Sequence, residues 1–407
     1  MTNQTAPERD LLRDLAWQVH ELAACKEMTY RRRLWNDMHS LRLPERPPVI
    51  CQPGCWEELL PRASMQCQDP FLSGVEYALR QSLTKWAIGD DTVIEPWWEV
   101  PAALELEGEH MWGVPVGYTH SGVSGGAWHY VHPIREEADL AKLVLPRYNH
   151  NRPATRESLE RMEDLLGDIL PVRQVCSLPG PGAWLHGWAT QLCGVQELLM
   201  HMMDRPEWVH RLMALLRDGF LDVMEQVLRM HVLTLNNTGL WACEDLPQKD
   251  FDGVHVRLRD LWGRGESQEF QAVGPAQYEE FLLHYQRPIL ARFGLTYYGC
   301  CEDLTNKLDL VLGIPNLRKF VCSPWTDLAK LVEKTGDRYC IEWRQKATDV
   351  IFCSDHTSIR DHLAQGLQIA RGVPLHLTLQ ELETVDGKPE RLREWATIAK
   401  DVGAKVT

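Results

Sequence analysis

The chain is expected to form an α/β fold, a (β/α)8 TIM barrel with an N-terminal helical extension, and three observations lead there. Short apolar runs and helix-period patterns alternate from about residue 170 to the C-terminal end, the signature of repeated βα units and a parallel sheet. The number of these units favours a closed barrel over an open sheet. A length of 407 residues suffices for one large barrel with a sizeable core.

The elements follow in order. Residues 1–90 read as an N-terminal helical section packed on the barrel, because Leu11, Leu12, Leu15, Val19 and Leu22 recur at helical spacing. The prolines of PERPPV, residues 44–49, force extended backbone ahead of Val49 and Ile50, and PGCWEELLP continues into a short helix. Residues 91–407 form the barrel. Its first part, 91–150, is irregular and rich in Trp and His, and reads as long loops over a site. Strands are then expected at VRQVCSL (172–178), TGLWAC (238–243), VHVRL (254–258), GLTYYGC (294–300), LRKFVCS (317–323), RYCIEW (338–343) and PLHLTL (374–379). Helices are expected over about 192–231, 275–292, 303–312, 326–334, 356–371 and 388–402. No repeat of 20–50 residues and no low-complexity tract interrupts the pattern.

Composition narrows the function. A formal charge of −14 repels a phosphate backbone, so no nucleic acid partner is expected. The basic run Arg31-Arg32-Arg33 falls in a helical pattern and reads as a solvated helix face. No stretch of 18 apolar residues exists to span a membrane. The N-terminal residues MTNQTAPERDLLRD carry acids and lack an apolar segment with a small-residue cleavage site, which predicts a cytoplasmic protein. Twelve cysteines scattered through a chain of this length are then expected as reduced thiols.

Several candidate site residues stand at expected strand ends. Glu244, after TGLWAC, is either a proton donor or a cap for the next helix. Asp260, Gln268 and Glu269 crowd one loop, Glu269 as a catalytic acid or base and the other two as substrate contacts. Trp98 is a candidate wall for a flat ring, and His129 reaches the site from the irregular segment.

The text LPVRQVCSLPGPGAWLHGWATQLCGVQELLMHMMDRPEWVHRLMALLRDGF, from residue 170, resembles the uroporphyrinogen decarboxylase superfamily, in which a strand runs into a Gly-Pro turn, a helix follows, and a short Pro-Glu-x-Val helix comes next. Here Pro206-Glu207-Trp208-Val209 fills that last slot. GPAQYEEFLLHYQRPIL, residues 274–290, resembles the family's Ser-Pro-x-x-Phe-x-x-Phe helix with Gly274 in the serine place, and PERPPV resembles its Arg-Pro-Pro-Val start. The resemblance implies the same (β/α)8 barrel, with its site at the C-terminal ends of the strands. One branch of the family decarboxylates a tetrapyrrole without a cofactor, using arginines soon after Pro-Pro-Val. The other moves methyl groups to or from a corrinoid or a thiol with zinc held by a His-x-Cys pair and a later Cys. After Val49 this chain has no arginine before Arg62, while Glu57 and Glu58 come first, so it is nearer the methyltransferase branch.

On that resemblance Cys301, in YYGCCEDLTNK, falls in the place of the family's Cys, and Gly299 falls where the histidine stands. Cys300 or Glu302 is expected to substitute, since zinc accepts thiolate and carboxylate and a catalytic site needs three protein ligands with one open position. Adjacent strand residues point to opposite sides, so both thiols can serve only where the backbone departs from strand geometry, which Gly299 eases. A further ligand must come from another strand end, with Cys322, Cys340, His376 and Glu381 as the candidates. Cys300, Cys301, Glu302 and Cys340 are the expected set.

The function implied is a zinc-dependent methyltransferase, an O-demethylase component. It would take a methyl group from a small methoxylated, aromatic substrate and pass it to the cobalamin of a separate corrinoid protein. No Asp-x-His-x-x-Gly cobalamin signature appears in this chain, so the corrinoid is expected on a partner. The alternatives are a metal-independent decarboxylase or lyase acting on a small acid, and a barrel that serves only as a binding subunit. A homodimer is the expected assembly.

Overall fold

A computed structural model describes residues 6–120, 122, 128–180 and 183–406. Pro181 and Gly182 of the Gly-Pro turn lie outside the described residues. Helix α1 (Ala6–Ala24) buries Leu12, Leu15, Ala16, Val19 and Ala23 against the helices Pro70–Ile88 and Arg152–Leu166. The first of these shows why such segments fold locally. Asp69 caps it by accepting from the backbone N–H of Phe71 and Leu72, Pro70 occupies its first turn, and Gly89 ends it in the left-handed region at φ 77°.

Twelve strands are described: β1 (Val49–Pro53), β2 (Trp98–Pro101), β3 (Leu104–Leu106), β4 (Gly117–His120), β5 (Trp128–Val131), β6 (Tyr148–His150), β7 (Val172–Val175), β8 (Trp262–Gly265), β9 (Leu295–Tyr298), β10 (Leu317–Cys322), β11 (Cys340–Gln345) and β12 (Leu375–Leu382). Six of them form one curled parallel sheet in the order β1-β12-β11-β10-β9-β8. β2 pairs with β7 in parallel as a separate ribbon, and β3–β6 and β4–β5 are short antiparallel pairs.

The expected closed eight-stranded barrel is therefore corrected to a barrel-like sheet whose ladder stays open. Side chains bridge the gap where strand pairing stops. The backbone N–H of Cys176 donates to Thr234 Oγ1, and Asn236 both donates to Trp262 O and accepts from its N–H. The expected strands TGLWAC and VHVRL are corrected as well. The first becomes the 3₁₀ turn Gly239–Trp241, and the second is irregular. The expected helix 192–231 is three helices, Leu185–Cys193, Val195–Asp204 and Pro206–Met230, broken at Gly194 (φ 92°) and before Pro206.

Strands β10 to β12 are buried on both faces, as parallel strands covered by helices must be. One face packs Phe320, Cys322, Ile341, Trp343, Leu377 and Leu379 into the main core. The other face bounds a polar lumen. Helix α2 (Lys26–His39) forms its floor with Trp35 and His39. The Trp35 ring lies 4.9 Å from that of His376, and the His39 ring lies 5.2 Å from that of Trp262. Among the described residues no helix is long and apolar enough to cross a membrane.

Candidate functional site

The lumen carries charges that alternate along the strands. Lateral register places Arg264 of β8 beside Tyr297 of β9 and Tyr297 beside Lys319 of β10. It likewise places Glu342 of β11 beside His376 of β12, and Arg344 beside Thr378. Residues side by side in a parallel ladder share a face, so these groups converge. Glu342 is the hub. Its carboxylate accepts from Arg344 Nε at 2.8 Å and lies 3.5 Å from both Lys319 Nζ and His376 Nε2.

Burial alone would raise the Glu342 carboxyl, but Arg344 and Lys319 outweigh it and hold the group well below the usual carboxylate range. Burial pushes His376 down to about 4, against the opposing pull of Glu342. Lys319 is lowered by the same loss of solvent, although Glu342 opposes it. Its ammonium sits 3.6 Å above the Trp241 ring, which supplies part of the solvation that water cannot.

Above this layer, at the C-terminal ends of the strands, β9 runs into Gly299-Cys300-Cys301-Glu302. Gly299 sits at φ 114°, and a Cβ there would lie 2.9 Å from the carbonyl oxygen of Val321. Only glycine fits both the angle and the space. The Glu302 carboxylate pins the turn, accepting from the Ser267 N–H at 2.7 Å, the Ser267 hydroxyl at 2.9 Å and the Cys300 N–H at 2.8 Å. The resulting bend turns both thiols to one side. Their sulfurs are 3.4 Å apart, and Arg344 Nη1 lies 3.7 Å from Cys300 and 3.9 Å from Cys301.

Near the pair, Glu381 adopts a left-handed φ of 61°, and its carboxylate helps to raise the Cys301 thiol. A non-glycine residue held there stores about 1–3 kcal/mol of strain, a recurrent mark of functional positions. The hydrogen bond from Cys301 lowers the Cys300 thiol pKa despite burial and the nearby Glu266. The same bond, burial and Glu381 raise that of Cys301. The two shifts run in opposite directions, so Cys300 is the sulfur that loses its proton more readily, and both face the guanidinium of Arg344.

Beneath the mouth lies a cavity of about 490 Å³, walled by Trp241, Trp262 and Tyr297 with Arg264, Asn236 and Ser177. Arg264 pairs with Glu266 at 2.9 Å, while its Nε has no hydrogen-bond partner among the described residues. A second cavity of about 900 Å³ holds Glu269, His129, His132 and His201. In it Glu269 Oε2 lies 2.8 Å from Nε2 of the fully buried His186.

The expected residues are distributed unevenly. Cys300, Cys301 and Glu302 come together, and Glu269 shares a cavity with His129. Cys340 is at the floor, donating to Arg318 O and packed with Trp35, Met38 and Ile50. Asp260 is tied to the Gln248 N–H and to Arg257 just before β8. Glu244 lies on the surface with Arg42 and Asn36. Gln268 is exposed, and Trp98 packs half-buried outside the ribbon against the α1 cluster. Sequence reasoning missed Arg264, Lys319, Glu342 and Arg344. The signal for three of them was present in the runs LRKFV, which carries Lys319, and CIEWRQ, which carries Glu342 and Arg344 at alternate positions, since charges in otherwise apolar strands need partners; Arg264, in WGRG, had none.

The expected zinc ligands do not form a set. Both Glu302 oxygens are taken by hydrogen bonds, Cys340 belongs to the floor, and a guanidinium flanks the two remaining sulfurs. Among the described residues no three His, Cys, Asp or Glu side chains converge to hold a metal. These residues do not fit a three-ligand zinc centre.

No family model matches the chain, and no curated protein matches it. Among solved structures the chain is similar to a methyltransferase from Methanosarcina mazei. The likeness covers 91% of this chain and 98% of that one at 11% sequence identity and a TM-score of 0.50. At that identity the likeness is one of fold.

Proposed function

We propose that this protein is a methyltransferase that takes a methyl group from a small methoxylated, aromatic substrate held at the mouth of the barrel. Two hydrogen-bonded sulfurs beside Arg344 at the strand ends, the 3.4 Å Cys300–Cys301 contact, carry the reading. The fold-level likeness to a methyltransferase and the sequence resemblance to the methyltransferase branch support it. The acceptor is the cobalamin of a separate corrinoid protein, which when docked supplies the nucleophile that receives the methyl group.

The chain's own residues bind and orient the substrate. Trp241, Trp262 and Tyr297 wall a cavity below the mouth suited to a flat ring, and in this reading the methoxy oxygen extends up toward the thiol pair. There the proton held at Cys301 Sγ hydrogen-bonds the oxygen as charge develops on it, and Arg344 stabilises that charge in a water-poor setting. Glu342 fixes the guanidinium through Nε, so the donor is in place before the reaction begins. Activity on methoxylated aromatics in the presence of a reduced corrinoid protein, lost when Cys300 or Cys301 is replaced by serine, tests the proposal. Full activity of both variants contradicts it.

A second reading has its own observation. Arg264 and Arg344 both face the lumen, and Arg264 Nε is unpartnered among the described residues. An arginine so placed suits the carboxylate of a small acid, the substrate of a decarboxylase or lyase. Carbon dioxide release from aromatic acids without methyl transfer would favour that reading.

A further inference from the structure

The thiol pair has a second chemical capacity that methyl transfer does not use. Cys300 and Cys301 are neighbours in sequence, and their sulfurs already touch at 3.4 Å, a contact that ordinary strand geometry forbids because adjacent side chains point apart. The bend that permits it is fixed from three sides. Gly299 supplies the left-handed angle, Glu302 clamps the Cys300 N–H, and Ser267 anchors Glu302. Cys300 is buried and Cys301 partly exposed at the mouth. The other ten cysteines are free thiols spread through the fold.

We propose that Cys300 and Cys301 form a reversible oxidation site, closing to a disulfide between adjacent residues when met by a hydroperoxide. The Cys300 sulfur attacks a peroxide oxygen and the O–O bond breaks. Cys300 becomes a sulfenic acid, and the thiol proton goes to the departing alkoxide or hydroxide. The Cys301 sulfur then displaces the sulfenic oxygen, which leaves as water with the Cys301 proton, and the S–S bond forms. Two thiols have lost two electrons and two protons, and the peroxide has become an alcohol, or water, plus water.

Arg344 beside both sulfurs favours the anionic sulfur that attacks. Reversal follows from geometry. Adjacent Cα atoms stand about 3.8 Å apart across a trans peptide, short of the roughly 4.4–6.8 Å span of unstrained disulfides. A strained bond is readily reduced by thiols.

The effect on activity rests on the reading given above, whereas the bond does not. Treating the full-length protein with one equivalent of hydrogen peroxide, followed by intact-mass and peptide mapping, tests the bond directly. Expected is the loss of two hydrogen masses, mapped to the peptide containing Cys300 and Cys301, reversed by dithiothreitol and absent from Cys300→Ser and Cys301→Ser. Mass loss at other cysteines, or irreversible oxygen addition to Cys300 with no linkage, overturns the proposal. Methyl transfer measured on the same samples should fall at least tenfold and return on reduction. A mapped bond with unchanged transfer upholds the oxidation site and overturns the placing of the reaction at the pair.

Discussion

Replacing Glu342 by Gln isolates the contribution of the charged lumen. The carboxylate lies 2.8 Å from Arg344 Nε and 3.5 Å from Lys319 Nζ, and all three groups are buried. At an effective dielectric of about 20, one unit-charge pair at the longer distance is worth about 5 kcal/mol before desolvation. Removing the anion leaves two cations in the lumen with no matching charge between them. Losing one partner of a buried pair typically costs about 3–5 kcal/mol. The glutamine oxygen can still accept from Arg344 and restores about 1 kcal/mol. A net loss of about 3 kcal/mol is expected in urea unfolding followed by tryptophan fluorescence. Adding Lys319→Met should recover at least 1 kcal/mol of it, because that removes one of the stranded cations. A loss below about 1 kcal/mol for Glu342→Gln, or no recovery in the double variant, refutes the hub assigned to Glu342.

Four further outcomes are expected. His376, held neutral by burial with its pKa down at about 4, binds its proton more weakly folded than unfolded. Its contribution is therefore complete above pH about 6.5 and is lost as pH falls toward 4, about 3 kcal/mol in all; His376→Asn should flatten that acid limb of a stability–pH curve. Gly299→Ala must place a Cβ 2.9 Å from the Val321 carbonyl at φ 114°, so a loss of about 1–3 kcal/mol is expected in thermal unfolding, together with slower methyl transfer. Glu244→Ala removes an exposed, solvent-screened pair with Arg42 and should leave the thermal midpoint and the activity unchanged; a large drop in kcat would restore Glu244 to the reaction. Arg344→Met should reduce methyl transfer at least tenfold through kcat while KM for the methoxylated substrate changes less, which steady-state kinetics would show.

Much of the C-terminal half was legible because its strands are buried on both faces. LRKFVCS, RYCIEW and PLHLTL stand out as apolar runs between helical patterns, and they became β10, β11 and β12. β8 was not legible, since WGRG has no apolar run. It forms because Gly263 and Gly265 let Phe293 and Tyr298 pack where a Cβ would clash at 2.4 and 2.6 Å. TGLWAC read as a strand by composition, but the segment turns back so that Trp241 can cover Lys319 and Trp262. With that misreading Glu244 was assigned to a strand end, whereas Arg318 at the start of β10 holds the neighbouring Asp245 at the opposite end of the barrel.

The thiol pair was legible from adjacency and a preceding glycine, both local features. Its surroundings were legible only in part: Glu381 stood among the candidates, but Arg344 comes beside the pair through the register of β9, β10 and β11, and a single sequence does not reveal register. Cys340 shows the same limit. It lies two residues before Glu342 on β11, yet that spacing carries it down to the floor rather than up to the mouth.

The most direct test is single-turnover transfer of an isotopically labelled methyl group from a methoxylated aromatic to a reduced corrinoid protein, with wild type and Cys301→Ser compared at equal folded concentration. Transfer by the wild type, slowed at least a hundredfold in the variant with its thermal midpoint preserved, is the predicted result. Equal rates in the two proteins, or no transfer by either across a series of methoxylated aromatics, would contradict methyl transfer at the paired thiols.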